Sequence, residues 1–367
     1  MPLKILAISN YRDFHTARPE AEIFIGLARR GHQVHIMTYG DAAYADKFRE
    51  AGIKVIDFHP RKKFDKGEIA FIRKELIKEG HDVIHLFNGK SIINGIRAAK
   101  GLAVKVVLYR GYTGNIHWYD PTAYLKFLHP RVDGIFCNSI GVENLIRSQL
   151  FFRKKKARTI NKGHRTEWYQ AYDPINLKAE LNLPEDAFLV VNVANNRKMK
   201  GIPYLLEAIT KLPSDLPVHL LLVGRDMDLE PNLKILEHSA NKHKVHFLGF
   251  RKDALNVVAS CDVFVLSSLF GESITKSVIE AMSLGIAPII TDIPGNSELV
   301  VNGKSGVVVP LKDGAAIARS ILTLFKDRDL LDSIRRNAKL HIENNLNTDR
   351  TIELTEQFYM DLISSNR

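Results

Sequence analysis

The chain has 367 residues, of which 45% are hydrophobic and 25% charged. This is the usage of a folded globular protein and excludes the disordered, collagen-like and disulfide-scaffold classes. Its apolar runs, such as Val218–Val223 and Val263–Leu266, fall short of the roughly 18 residues a membrane-spanning helix needs, and the length suits two domains with a core each.

The net charge of +11 is unevenly spread. Residues 1–170 carry 30 Lys and Arg against 16 Asp and Glu, an excess of +14, whereas residues 171–367 carry 22 against 25, or −3. The densest basic tracts are Arg61-Lys62-Lys63, Arg73-Lys74 and Arg153-Lys154-Lys155-Lys156. Such tracts attract anionic surfaces, so an anionic membrane is an expected partner; nucleic acid is not, because no base-reading module accompanies the charge. Cys137 and Cys261 are far apart and beside strand-like residues, which reads as two buried free thiols.

In chain order, the opening residues through Ser9 are too short for a secretory apolar segment and read as the first strand of a cytoplasmic protein, peripheral on the inner face of the membrane by its charge. Further β-rich runs fall over 33–38, 54–58, 83–86, 105–109 and 134–137. Helix-period segments fill the gaps, among them 20–30 and 69–79. Both end at Gly-His pairs, Gly31-His32 and Gly80-His81, where glycine supplies the left-handed turn that stops a helix. Residues 166–184, with Trp168, Tyr169, Tyr172 and two prolines, read as a linker. The same grammar resumes with runs over 189–193, 219–223, 245–248, 263–267, 288–291 and 306–308. A last helix-period segment spans 348–364 and could pack on either domain. Alternating strand and helix patterns predict an α/β chain of two doubly wound, Rossmann-like domains facing a central cleft. The expected boundaries are 1–165 for the first domain, 185–347 for the second, and 348–367 as a terminal helix.

The chemistry concentrates in Ser267 to Gly285. A strand ends at Ser267, a glycine-bearing loop follows, and a helix is expected from about Ile274 to Leu284. Glu272 lies in the loop and Glu280 two turns into the helix, a backbone separation on the order of 10 Å. That spacing suits the two ends of one elongated ligand better than an acid/base pair. Backbone N–H groups of Ser273, Ile274 and Thr275 at the helix start favour an anion such as a phosphate.

This segment resembles family 4 of the retaining glycosyltransferases, whose signature is two glutamates with seven residues between them at a strand-loop-helix junction. The likeness extends through Glu280-Ala281-Met282, Pro294-Gly295-Asn296-Ser297-Glu298 and Asn302-Gly303 to Val245 to Phe250 upstream. The resemblance implies a GT-B architecture and transfer of a sugar from a nucleotide-diphosphate sugar to a hydroxyl acceptor, with retention and without a metal or other cofactor. It implies that Glu272 contacts donor hydroxyls, Glu280 the ribose, the amides of Ser273, Ile274 and Thr275 the diphosphate or sugar, and Gly249 and Phe250 the base. The family places an Arg and then a Lys-Gly pair after the first strand of the second domain. Here Lys200-Gly201 match and Asn195 stands at the arginine position, which makes Arg197 the substitute. In the first half, Arg110 or His117 is the candidate to reach the reacting sugar. The implied acceptor is a glycan or a lipid-linked species of surface-polysaccharide assembly. Two rivals share the fold: a nucleotide-sugar epimerase, and a scaffold that binds nucleotide and membrane without turnover.

Overall fold

In the computed structural model, which describes residues 1–364, the β-rich runs become two parallel sheets. The first contains β1 (Lys4–Ile8), β2 (Gln33–Thr38), β3 (Lys54–Asp57), β4 (Val83–Leu86), β5 (Lys105–Arg110), β6 (Gly134–Cys137) and β7 (Ala157–Thr159), in the order β3-β2-β1-β4-β5-β6-β7. The second contains β8 (Phe188–Val193), β9 (Val218–Val223), β10 (Val245–Gly249), β11 (Val263–Leu266), β12 (Ala287–Thr291) and β13 (Val307–Val309), in the order β10-β9-β8-β11-β12-β13. The edge strand β7 is too short to leave a periodic signal and is not among the expected strands.

Period-two alternation explains why both faces are buried. In the first sheet, Leu6, Ile84, Val106 and Ile135 enter one apolar cluster, while Ile5, Val83, Val107 and Phe136, their chain neighbours, enter another. In the second, Val190, Leu220 and Val265 belong to one cluster, and Val191, Leu221 and Phe264 on the other face are equally buried. Among the described residues, no helix is long and apolar enough to cross a membrane.

The chain divides into one unit of Met1–Gly163 with the segment from Leu346 onward, and a second of His164–Asn345. Residues 166–184, read from sequence as a linker, are built into the second unit. The Thr166 hydroxyl donates to Glu343 at 3.2 Å, His164 and the Tyr169 hydroxyl lie 2.6 Å apart, and the Ile175 amide donates to Ser260 at 2.8 Å.

Two helices of the first unit differ from expectation or complete it. The one expected to begin after Pro19 starts at Phe14 and runs to Arg29, because the Asp13 carboxylate caps it by accepting from the Thr16 amide at 2.7 Å. The cap and the burial of Ile23, Phe24 and Leu27 outweigh the backbone bond that Pro19 forfeits. The Thr348–Ser364 helix packs in the first unit. Its Ile352, Phe358 and Tyr359 join the apolar cluster of Phe24 and Leu27, and the Tyr359 hydroxyl meets His85 at 2.6 Å. Nearby, the Lys162 ammonium donates to Glu20 at 2.7 Å and lies 3.8 Å from the Tyr109 ring centre.

Candidate active site

The strand order of the second sheet decides where its chemistry gathers. β8 and β11 are neighbours, but the chain leaves β8 toward β9 and β11 toward β12. The loops beyond their carboxyl ends therefore part, and such a switch point is where open α/β sheets hold ligands. These two loops contain Lys200 and Glu272.

Backbone contacts stitch the loops together. The Leu269 amide donates to the Met199 carbonyl at 2.7 Å, and the Ser267 hydroxyl donates to the Lys200 carbonyl at 2.9 Å. Gly201 sits at φ +62° with its missing Cβ aimed at the Ser267 carbonyl, so only glycine allows so close an approach. The result is an ion pair between the Lys200 ammonium and the Glu272 carboxylate, with side chains only 18% and 13% exposed. The Ser268 hydroxyl donates to the same carboxylate at 3.2 Å. The Thr275 hydroxyl lies 3.3 Å from its other oxygen and donates to the Asn296 side-chain oxygen at 2.6 Å.

The helix after this loop runs over Lys276–Ser283, two residues later than expected, with Thr275 as its N-cap. Because the Thr275 hydroxyl is engaged sideways, it makes no cap bond to the first turn, whose donors and positive dipole end then favour an anion. The first-turn amides are thus those following Thr275; buried Ser273 and half-buried Ile274 belong to the preceding loop. Glu280 is 14% exposed and paired with Lys276 at 2.7 Å, an i,i+4 helix pair.

The loop after β8 holds the remaining candidates. Arg197 is exposed. Asn195 accepts from the Arg225 amide at 3.1 Å and so fastens this loop to the one after β9. Gly224, at φ +146°, lets the two backbones touch, since a Cβ there would strike the Ala194 carbonyl. The Gly249 carbonyl, at the end of β10, accepts from the Gly224 amide at 2.8 Å. Next to it Phe250 is 62% exposed, with the Arg225 guanidinium 5.3 Å from its ring centre.

Two residues escape a reading of the sequence. Arg225 follows an unremarkable Val-Gly pair, and only the crossing of three strand ends brings it to Phe250. Asn296 is fully buried beside Thr275, and its side-chain nitrogen makes no hydrogen bond among the described residues; the Pro-Gly loop before it was its only signal. Among the described residues no three His, Cys, Asp or Glu side chains form a metal cluster.

The first unit holds the other two candidates. Arg110 is buried, but its guanidinium donates to the Tyr112 carbonyl at 2.9 Å and to that of Gly114, and lies 3.6 Å from the Tyr112 ring centre. Two of its donors hold its own loop. His117 is exposed and stacks on Tyr119 at 5.0 Å.

Residues 174–341 match the family described as glycosyl transferases group 1, and residues 21–168 match glycosyltransferase family 4. The chain belongs to the group 1 glycosyltransferases. The N-acetyl-alpha-D-glucosaminyl L-malate synthase of Bacillus anthracis is 23% identical over 355 residues, 93% of this glycosyltransferase and 92% of the relative. The UDP-Gal:alpha-D-GlcNAc-diphosphoundecaprenol alpha-1,3-galactosyltransferase of Escherichia coli is 24% identical, over 82% and 80% of the two chains. HepE of Anabaena, solved in complex with UDP, superposes with a TM-score of 0.78 at 18% identity, covering 98% of this glycosyltransferase and all of HepE. The two sheets of this enzyme are those of a GT-B fold.

Proposed function

We propose that this glycosyltransferase moves a sugar from a nucleotide-diphosphate donor to a hydroxyl of a glycan or lipid-linked acceptor, with retention at the anomeric carbon and without a bound metal. The observation that carries the reading is the Lys200–Glu272 pair at the β8/β11 switch point, beside a helix start without a side-chain cap. In this reading the donor lies along that helix start. Glu272 accepts from a sugar hydroxyl and Lys200 turns its charge to the diphosphate, with Arg197 as a second cation in place of the arginine that Asn195 lacks. Glu280 takes the ribose, and Phe250 with Gly249 borders the base.

In the reaction the bond between the anomeric carbon and the phosphate oxygen breaks, and the acceptor oxygen bonds to that carbon on the same face. The acceptor's proton passes to the departing phosphate oxygen, so no separate base is required. Negative charge grows on the leaving diphosphate, where preorganised cations and amides lower the barrier most. The lipid-linked acceptor is supported by the name of the Escherichia coli relative, whose substrate is a diphosphoundecaprenol, and an anionic membrane surface by the basic excess of residues 1–170.

The test is a thermal-shift screen of nucleoside diphosphates and their sugars, followed by turnover with the sugar that stabilises most. A stabilising donor that is consumed only with an acceptor, and equally in chelator, supports the reading. Consumption without acceptor indicates an epimerase, and binding without consumption a non-catalytic scaffold.

A further inference from the structure

Thr275 and Asn296 are residues of the helix-capping type, and neither caps its helix. Elsewhere in the chain Asp65, Asn88, Ser139 and Asp313 each accept from an amide of the helix they precede, the ordinary use of such side chains at that position. Thr275 precedes the Lys276–Ser283 helix and Asn296 the short helix Ser297–Leu299, yet both leave the first turn without a side-chain bond. Their side chains meet each other instead, 2.6 Å apart, where Asn296 is fully buried and Thr275 only 7% exposed. A local rule broken twice at one point marks residues with another task.

The strand order brings the two together. β11 and β12 are neighbours, so the loops beyond their carboxyl ends lie side by side, and the Thr291 hydroxyl at the end of β12 donates to the Ser268 carbonyl of the other loop. The Asn296 amide donates to the Ile293 carbonyl at 3.0 Å, and the Asn296 carbonyl accepts from the Leu299 amide at 2.8 Å. These bonds fix the Asn296 backbone, so what remains variable is which way its carboxamide faces.

A count of protons decides the order of the bonds. The Thr275 hydroxyl has one proton and two acceptors, the Asn296 oxygen at 2.6 Å and Glu272 Oε2 at 3.3 Å. With that proton on Asn296, the carboxamide nitrogen stays buried and, among the described residues, without an acceptor, a costly arrangement. Turning the carboxamide over exchanges its oxygen and nitrogen in place. Its N–H then donates to the Thr275 oxygen, and the hydroxyl proton turns to the Glu272 carboxylate. A chain of donors that ends on an anion is the stronger one.

We propose that Asn296 and Thr275 are positioning residues for Glu272. Asn296 donates to Thr275, and Thr275 donates to Glu272 Oε2. The carboxylate, held on its other oxygen by Lys200 and Ser268, thereby keeps one orientation toward the donor sugar. The inference rests on the role given to Glu272 in the proposed function and deepens it by naming what aims that carboxylate.

The experiment is calorimetric titration of the full chain with two probes, the nucleotide sugar that stabilises it most in the thermal-shift screen and the matching nucleoside diphosphate. Neither titration needs an acceptor. Thr275→Val should weaken the nucleotide sugar about tenfold and the nucleoside diphosphate less than about twofold, because the lost hydrogen bond serves the group that holds the sugar. Thr275→Ser keeps the hydroxyl and should restore the wild-type ratio of the two affinities. Asn296→Ala should weaken the nucleotide sugar about threefold on its own and no further when Thr275 is already Val, since it acts only through that hydroxyl. Equal loss of both probes in Thr275→Val, together with a lowered melting temperature, is the result of a merely structural role and overturns the proposal. So does wild-type affinity for the nucleotide sugar in Thr275→Val while Glu272→Gln loses it, an outcome that leaves the proposed function standing. Wild-type affinity in Glu272→Gln, or a wild-type chain that binds no nucleotide sugar, overturns the role of Glu272 itself and this inference with it.

Discussion

Lys200 and Glu272 stand 72 residues apart in the chain yet form one ion pair, closed by two loops that leave neighbouring strands in opposite directions. Neither side chain is needed to fill a core. Lys200→Met and Glu272→Gln are each expected to lower kcat/KM about a hundredfold. The double variant should lose less than the product of the single losses, since each removes a partner of the other. Wild-type rates in both single variants would falsify the site assignment.

Arg197 is exposed on the loop whose neighbour Asn195 is tied to the Arg225 backbone. If Arg197 meets the diphosphate, Arg197→Ala should weaken nucleoside-diphosphate affinity about tenfold while leaving the melting temperature alone. Asn195→Ala should do the reverse, lowering the melting temperature through the loosened loop. Calorimetric titration beside thermal unfolding reads both.

Gly201 and Gly224 hold positive φ, and a Cβ on either would collide with a backbone carbonyl, of Ser267 and of Ala194 respectively. Backbone cannot yield as a flexible side chain does. Gly201→Ala and Gly224→Ala are expected to cost about 2 to 4 kcal/mol each, read from denaturant midpoints at unchanged slope. Gly31→Ala, with open space around its Cβ position, should cost about 1 kcal/mol, the conformational penalty alone.

The buried Glu20–Lys162 pair makes a different prediction. Burial works against the Lys162 charge, but Glu20 and Tyr109 together keep the ammonium above its ordinary value. Removing one partner leaves the other charge stranded, so Glu20→Leu alone should destabilise by about 3 kcal/mol. Adding Lys162→Met should recover most of that loss, because two packed apolar side chains replace a buried ion pair at little cost.

Acid should unfold the protein through its histidines. Burial first, and a neighbouring imidazole second, pulls His81 down to about 4 beside His35, and His219 down to about 4 beside His246. Their nitrogens lie 2.9 Å apart in the first pair and 3.1 Å in the second. The unfolded chain takes up protons below about 6.5, whereas the fold refuses them until about 4. Their contribution is therefore complete above pH 6.5 and is lost as the pH falls toward 4, by up to about 1.4 kcal/mol per pH unit for each group. Denaturant titrations at pH 7, 6 and 5 should show the decline, and His219→Phe should flatten it.

Much of this fold is legible in the residues. Aliphatic runs such as Val263–Leu266 mark strands buried on both faces, and the glutamate spacing marks the loop and helix that follow. What is not legible depends on three-dimensional order. The three residues of β7 are too few to show a period. The true start of the Phe14–Arg29 helix depends on an aspartate cap outweighing a proline, a balance that a breaker rule decides wrongly. Residues 166–184 look like a tether by composition, yet hydrogen bonds from Thr166 and Ile175 commit them to the second unit. At the site, the glutamates and Lys200 announce themselves by pattern. Arg225 and Asn296 do not, because their place depends on which strand ends lie side by side. The bonds from Arg110 to the Tyr112 and Gly114 carbonyls are no more legible, since they depend on how its loop turns.

The Thr348–Ser364 helix supplies Ile352, Phe358 and Tyr359 to a core whose other members lie before Gly163. A nascent chain leaving the ribosome thus presents its first sheet with one layer incomplete throughout the synthesis of the entire second unit. During that interval the bare surface around Phe24 and Phe136 is a target for chaperones and proteases, and an early stop codon between residues 163 and 352 would make that interval permanent.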